Sequence, residues 1–519
     1  MQKNYILIVY LFFALSFTSS CKKFLDINDN PNSSTTASPD LVFPQAIVYT
    51  GSVVNTYNSY GVQVGGYGAN AGGYGGFGVN WTYDFGTDSY NGLWNASYDV
   101  LEDLQYVISS TEGNTSYAYY NAAAKILKVF NFQLLVDQYN DIPYSDALSS
   151  TNITPVYDNA EDIYVDLARV LDTAIATIQD AEYATALSSS VDPLFAGDMD
   201  SWIKFANTIK LRLIVRASDF VTFDNTTFTS EGFLTDDAVE NPGYAQSSGQ
   251  TNPKWSTWVV DYTGSAANRS WLPSKYVFGY YNGQKLTDAY RGAVIFYNFS
   301  STPVNQLGNT EDVSSAPATA GPWYSGSGSG TSLGEATGVM KGYDMGMPLL
   351  TAAESYFLQA EAQVRGIISG DASTAFTNGI IASFHYLYEL PDGTVSSDYD
   401  YEADAASYIA ANSTSYLADF SLATTTDEQI EAIITQKYIA LNQINSYEGW
   451  NDYRRTGYPL SSSTVANNPY GSMASTQSLS TRSDKLPSRI LYPASEYSYN
   501  GSNAPSGISP FTSLIFWAQ

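Results

Sequence analysis

The chain contains a single histidine, His385, in a stretch that predicts a helix. A Ser-His-Asp triad or a histidine-based metal site would have to use this residue, because both kinds of site need an imidazole. A packed or partly exposed structural histidine is the simpler interpretation. We therefore predict no catalytic residue and no cofactor, and the sequence leaves metal binding undetermined.

Paired carboxylates could hydrolyse a glycoside, since that reaction needs two acidic groups at a set separation. Glu354 and Glu361 are seven residues apart and share a face of a predicted helix. With 51 acidic residues the sequence cannot forbid such an enzyme, but we favour structural hydrogen bonding for this pair. Arg454 and Arg455 could clamp a carboxylate, and for them we favour a structural ion pair. Trp450 we assign to the core.

Sugar binding requires flat aromatic faces, with amides and carboxylates nearby for the hydroxyl groups. The chain has 43 tyrosines and nine tryptophans, but most aromatic residues of a helical body serve packing. We therefore select those that stand in a polar, non-periodic context. The predicted ligand-binding residues are Trp81, Tyr83, Trp255, Trp258, Trp271, Trp323 and Tyr324.

A mostly α scaffold is predicted to carry these residues. Ile163, Leu167 and Leu171 recur at helical spacing, which predicts one buried helix face. Thr351 and Glu354 have the form of a capping box that opens another helix. Further helices are predicted near 89–110, 115–139, 198–219 and 371–388.

Two stretches interrupt the helical pattern. Residues 220–347 are rich in Gly, Ser, Asn, Pro and aromatic residues, and we predict a loop-rich elaboration that presents ligand contacts. Residues 61–78 contain nine glycines, and Gly73, Gly75 and Gly78 satisfy a nominal GxGxxG. A nucleotide fingerprint also needs a preceding strand and a following helix, so we predict a surface loop carrying aromatic side chains.

The N-terminus reads as a secretory signal over residues 1–20, because Lys3 precedes an apolar run from Tyr5 to Phe17. That run is too short for a permanent membrane span. Cys21, the only cysteine, has the position of a lipid-modified cysteine and is predicted to be acylated. Residues 21–40 are predicted to be a polar tether, and 41–519 a single domain.

The formal net charge of −28 argues against nucleic acid as a partner. Affinity for nucleic acid is built from Lys and Arg side chains that neutralise phosphates. An anionic lipid surface is disfavoured for the same reason. A neutral or weakly charged ligand meets no such repulsion.

Five stretches, in this order along the chain, resemble the SusD/RagB family of outer-membrane nutrient-binding lipoproteins, and specifically its SusD-like subgroup. The stretches are CKKFLDIN (21–28), DIPYSDAL (141–148), LTAAESYFLQAEA (350–362), QKYIALN (436–442) with GWNDYRRTGYP (449–459), and RILYP (489–493) with Glu496 and Tyr497. The resemblance implies a helical fold with tetratricopeptide-like helix pairs, an exposed position at the cell surface, and no catalysis.

The resemblance also implies a function and a partner. Members capture oligosaccharides, or in some cases peptides, and deliver them to a SusC-like TonB-dependent outer-membrane transporter. We accordingly predict a lipid-anchored, surface-exposed protein that binds an oligosaccharide or polysaccharide. A peptide-binding member, a surface glycoside hydrolase and a purely structural surface protein remain alternatives.

Overall fold

The computed structural model describes residues 37–149, 151–311, 323–324, 336–462 and 468–519. The predicted signal peptide, Cys21 and residues 21–36 of the predicted tether lie outside the described residues. Fifteen α-helices and four short strands form the described part of the chain. The helices are α1 (Pro39–Val64), α2 (Val79–Thr82), α3 (Asn91–Thr111), α4 (Ala118–Tyr139), α5 (Ala160–Gln179), α6 (Met199–Ala217), α7 (Pro253–Trp258), α8 (Lys275–Phe278), α9 (Ala289–Ile295), α10 (Ala352–Val364), α11 (Ala372–Tyr388), α12 (Tyr401–Ala411), α13 (Thr426–Ala440), α14 (Ser446–Thr456) and α15 (Ala494–Tyr499).

The prediction of a mostly α fold with paired helices is confirmed. Consecutive helices pack on one another, α3 on α4, α4 on α5, α5 on α6, α10 on α11 and α11 on α12. Helix α10 also packs on α6 and α13, and so joins the N-terminal and C-terminal helix groups. The four helices predicted near 89–110, 115–139, 198–219 and 371–388 begin and end within three residues of α3, α4, α6 and α11.

Helix α5 shows why local sequence was sufficient for these predictions. The side chain of Asn159 accepts hydrogen bonds from the backbone N–H groups of Glu161 and Asp162, which satisfies donors that a helix start leaves open. Ile163, Leu167 and Leu171 are buried on the inner face of the helix, as their spacing predicts. Burial of each such side chain contributes about 1.5–3 kcal/mol.

Helix α10 begins where the predicted capping box stands, but only half of the box forms. The Thr351 hydroxyl accepts a hydrogen bond from the backbone N–H of Glu354 at 3.2 Å. The Glu354 carboxylate does not return to the cap. It instead forms an ion pair with the Arg212 guanidinium at 3.3 Å, between two side chains with no solvent exposure.

Strands are few and short. Strands β1 (Gly68–Asn70) and β3 (Trp271–Pro273) pair antiparallel, as do β2 (Ala238–Glu240) and β4 (Met347–Leu350). The regular elements of the described part of residues 220–346 are strands β2 and β3, the short helices α7, α8 and α9, and one 3₁₀ turn at Phe299–Ser301. This segment is thereby fixed to the edge of the helical body, since α1 contacts β1, β2 and β4.

Candidate ligand-binding site

The glycine-rich stretch divides into a buried part and an open part. Gly61 lies inside α1, where a Cβ would come within 2.2 Å of the backbone N of Tyr447. Residues 64–71 are buried. The prediction of one surface loop over residues 61–78 is therefore wrong for its first half, because those glycines permit close packing of backbone. Only residues 72–76 and Gly78 extend from the body.

The open part, residues 72–78, carries an exposed aromatic side chain. Tyr74 is 39% exposed. A Cβ built at Gly73, Gly75 or Gly76 would meet nothing within 4 Å among the described residues, so packing does not require these glycines. Gly73 and Gly76 have φ angles of 81° and 87°, which glycine adopts at little cost. We call residues 72–78 the glycine loop.

Three aromatic rings form a cluster at the base of the glycine loop. Phe77 and Trp81 are stacked, with centroids 5.4 Å apart and planes 6° apart. The edge of Trp271 meets Phe77 at 5.0 Å. Trp81 is half-buried, whereas Phe77 and Trp271 are 6% and 9% exposed. Trp81 is thus the ring of this cluster that solvent reaches most.

Amide groups lie beside this cluster. The Tyr90 hydroxyl donates to the side-chain oxygens of Gln63 and Asn80, each at 2.9 Å. The Asn80 amide also reaches Gln63 at 3.4 Å. Flat aromatic surface next to fixed amides is the combination that binds pyranose rings and their hydroxyl groups. We call Tyr74, Phe77, Trp81 and the neighbouring amides the Trp81 platform.

The other predicted ligand-binding residues are buried, and they do not come together in one site. Tyr83 and Tyr324 are completely buried, and Trp255, Trp258 and Trp323 are each 2% exposed. Trp258 meets Tyr324 edge-on at 6.0 Å, while the Tyr83 hydroxyl accepts from the backbone N of Ser475 at 3.1 Å. Their contact with a ligand stays a prediction, and in this conformation they are part of the hydrophobic core.

A second aromatic surface was missed by the sequence reasoning. A cavity of about 650 Å³ lies between α3, residues 143–155 and α15. Among its lining residues Tyr106, Ile153 and Tyr499 are 36%, 86% and 81% exposed, and Glu102 and Asn152 add polar groups. We call it the α3–α15 cavity. No sequence signal could have joined these residues, because they stand almost 400 positions apart.

The acidic and basic residues considered for catalysis are part of the core. Glu361 is 2% exposed and accepts two hydrogen bonds from Arg455, at 2.6 and 2.7 Å. Burial raises the pKa of Glu354 against the opposing effect of Lys437 and Arg212, but no solvent reaches this carboxyl group. The predicted structural role of this carboxylate pair is confirmed.

The predicted ion pair forms for Arg455, Trp450 lies in the core as predicted, and Arg454 is structural but forms no ion pair among the described residues. The guanidinium of Arg454 lies 5.5 Å from the Trp450 ring centroid and donates to the backbone carbonyls of Asp137 and Ser488. Arg455 lies in the ion pair with Glu361. Trp450 is completely buried.

His385 lies away from the aromatic surfaces. Its imidazole side chain is 39% exposed on α11 and faces Glu389, with Nδ1 and Oε1 3.2 Å apart. The hydrogen bond to Glu389 raises the pKa of His385. The ring also meets Tyr401 edge-on at 4.8 Å.

The chain belongs to the SusD-like family, whose model, described as "Starch-binding associating with outer membrane", matches residues 31–493. Members of this family are nutrient-binding proteins associated with the outer membrane. None of the described helices is long and apolar enough to cross a bilayer. A search of the curated proteins finds no match.

Solved structures share the fold at low sequence identity. A SusD homologue from Bacteroides fragilis is 20% identical, with a TM-score of 0.65 over 93% of this chain and 100% of that chain. A SusD/RagB family protein from Bacteroides thetaiotaomicron is 19% identical, with a TM-score of 0.65 over 93% and 99%. A chitin-binding SusD homologue from Flavobacterium johnsoniae is 23% identical, with a TM-score of 0.63 over 90% and 98%.

Proposed function

We propose that this protein is a non-catalytic, surface-exposed binding protein that captures oligosaccharides on the Trp81 platform. The observation that carries the proposal is the stacked pair of Trp81 and Phe77, which directly follows the loop that carries the exposed Tyr74. An aromatic pair that is partly open to solvent and flanked by amides is suited to a neutral, hydroxyl-rich ligand. Family membership supports the same function.

The negative net charge of the chain favours uncharged glycans over acidic ones. At −28 the protein repels polyanions, so uncharged polysaccharides are the expected ligands. The chitin-binding relative makes N-acetylated chains a first choice for testing. Chitin oligosaccharides offer acetamide groups that the amides of Gln63 and Asn80 can pair with.

Calorimetry and affinity-gel electrophoresis on the chain from Lys22 would test the proposal with neutral glycans, acidic glycans and a peptide digest. We expect saturable binding of one neutral class. Trp81→Ala and Tyr74→Ala should each weaken binding by about five- to twelvefold, since one stacked ring contributes about 1–1.5 kcal/mol. Tyr183→Ala is the matched control, because Tyr183 is 75% exposed and lies outside both aromatic surfaces.

The same panel separates the two surfaces. If Tyr499→Ala and Tyr106→Ala weaken binding while Trp81→Ala does not, the glycan occupies the α3–α15 cavity and the Trp81 platform is the wrong site. Binding confined to peptides would favour the peptide-binding alternative. Release of reducing sugar from a bound glycan would contradict the non-catalytic assignment.

We further propose that acylated Cys21 anchors the protein to the outer membrane and that it delivers its ligand to a SusC-like TonB-dependent transporter. Supporting this are the signal-like residues 1–20, the position of Cys21 and the family membership. Mass spectrometry of the membrane-extracted protein should find a diacylated or triacylated Cys21. Cys21→Ser should release the protein from membranes, and co-purification of a transporter with the wild type alone would support delivery.

A further inference from the structure

A separate cavity of about 590 Å³ lies between β2, the Lys341–Gly346 segment, α11 and α12, away from the Trp81 platform. The only histidine of the chain lines it, together with Asp237 and Glu389. One atom from each of these three side chains lies within 4.8 Å of the other two. Glycan binding at the aromatic surfaces leaves this group of ligand-type side chains without a role.

We propose that His385, Asp237 and Glu389 bind a divalent transition-metal cation, with Zn²⁺ the expected ion. An imidazole and two carboxylates are borderline ligands that suit Zn²⁺ and its neighbours. Ca²⁺ is disfavoured, because it takes six to eight oxygen ligands. The chemical class of the ligand is therefore a first-row divalent ion, and the proposal is independent of which glycan the protein binds.

The geometry of His385 and Glu389 fits one edge of a tetrahedral site. Two ligand atoms held about 2.0–2.1 Å from a tetrahedral zinc ion lie about 3.3 Å from each other. The distance between His385 Nδ1 and Glu389 Oε1 is 3.2 Å. The Asp237 oxygen lies within 4.8 Å of both other donor atoms, so this separation would have to shorten when the ion binds.

Both carboxylate ligands are held in place by a neighbour. The backbone N–H of Ala352 donates to Asp237 at 2.7 Å, and Lys341 Nζ donates to Glu389 Oε2 at 3.0 Å. Lys341 therefore occupies the carboxylate oxygen that does not face His385. Partners of this kind orient metal ligands in known sites, and their loss typically weakens metal binding 10- to 100-fold.

Access and charge also favour an ion. The His385 side chain is 39% exposed and that of Glu389 14%, so an ion can enter from the cavity. Asp236 and Glu402 also line the cavity. The carboxylates that line the cavity with His385 are Asp236, Asp237, Glu389 and Glu402, and the one ammonium is that of Lys341. The carboxylates therefore leave an excess of negative charge for a cation to neutralise.

The experiment is specific because the chain contains only one histidine. Any metal–imidazole signal from the protein, purified without a polyhistidine tag, must come from His385. We expect one Cu²⁺ per chain with an imidazole nitrogen signature in pulsed electron paramagnetic resonance. Zn²⁺ should compete for the same site in calorimetry and should raise the melting temperature.

Four variants decide the ligand set. His385→Gln should abolish the nitrogen signature, and Glu389→Gln and Asp237→Asn should each weaken Zn²⁺ binding at least about tenfold. Asp236→Asn is the matched control, because it removes the same charge one residue away and should change Zn²⁺ affinity less than threefold. Circular dichroism and the melting temperature of each metal-free variant show whether it has folded.

Two outcomes would overturn the proposal. One is that the wild type shows no imidazole-bound copper and no Zn²⁺ binding at micromolar concentration. The other is that Glu389→Gln and Asp237→Asn bind Zn²⁺ as well as the wild type does, which would leave His385 as an isolated surface ligand.

Discussion

Arg455 and Glu361 form a two-point contact in which both guanidinium η-nitrogens meet both carboxylate oxygens, at 2.6 and 2.7 Å. The contact joins α14 to α10, and the two side chains are 8% and 2% exposed. A planar fork is the strongest geometry available to an arginine and a carboxylate. It therefore fixes the distance between two helices that lie more than 80 residues apart in sequence.

Removing one partner of this contact should destabilise the protein strongly. Arg455→Met leaves Glu361 buried with Arg365, 3.5 Å away, as its remaining ion-pair partner. We expect a loss of about 3 kcal/mol in the free energy of unfolding, as for other broken buried pairs, measured by urea denaturation. Arg169→Met is the control: Arg169 pairs with Asp166 and Asp224 at the surface, and its loss should change stability little. Equal effects of the two variants would contradict this reasoning.

Glu240 should make stability fall as the pH rises. Burial raises the pKa of Glu240 to about 8, against the opposing hydrogen bond from the Tyr244 hydroxyl at 2.5 Å. Because the native state holds the proton more tightly than the unfolded state, whose pKa is near 4.5, stability is full below pH 4.5 and declines up to about pH 8.

Glu240→Gln should remove that decline, because the amide has no proton to lose and can still accept from Tyr244. We expect the variant to gain stability over the wild type by a few kcal/mol between pH 5 and pH 8, at about 1.4 kcal/mol per pKa unit. Thermal melts across this range would measure it. Glu182→Gln, at an exposed position, should leave the pH dependence unchanged.

Lys254 should act in the opposite direction at higher pH. Burial, aided by Lys341, lowers the pKa of Lys254 to about 7, although Nζ donates to the carbonyls of Gln443 and Ile444 at 2.8 and 2.9 Å. Between about pH 7 and pH 10.5 the unfolded state binds more protons, so this residue makes stability rise with pH. Lys254→Met should flatten the stability curve above pH 7, and an unchanged slope would argue against it.

Two helical glycines should respond oppositely to alanine. A Cβ at Gly379 in α11 would come within 2.7–2.9 Å of the Phe357 ring on α10, whereas a Cβ at Gly92 in α3 would meet only Thr56 Cγ2 at 3.8 Å. Gly379→Ala should destabilise by about 1–3 kcal/mol through overpacking. Gly92→Ala should stabilise by up to about 1 kcal/mol. Chemical denaturation of both variants would show the difference in sign.

The helices could be predicted because their signals are local. In α5 the cap and the buried face all lie within twenty residues of one another. The spacing of the side chains is therefore sufficient to predict the helix. Glu354 shows the limit of that logic. Its place in the sequence predicts a hydrogen bond to the helix cap. Its carboxylate instead accepts from the guanidinium of Arg212, which lies 142 positions away in sequence.

The binding surfaces could be predicted only in part, because exposure depends on distant segments. Polar neighbours suggested that Trp255 and Trp258 face solvent, yet both are buried, and Trp258 packs on Tyr324. Trp81 keeps some exposure although Phe77 of the glycine loop stacks on one of its faces. The Asp237, His385 and Glu389 group depends on a chain separation of about 150 residues, which no local motif reveals.

Helix α1 packs against α3 and also against α14, and at Gly61 its backbone lies against that of Tyr447. Helix α1 thus packs against a helix that lies about 390 residues later in the sequence. Contacts of such high sequence separation form slowly, since a long segment must be closed before they are gained. A chain that emerges N-terminus first must hold α1 without its C-terminal partner until residues 446–456 have appeared. We therefore expect slow folding through a long-lived incomplete state that exposes apolar surface and is prone to aggregation.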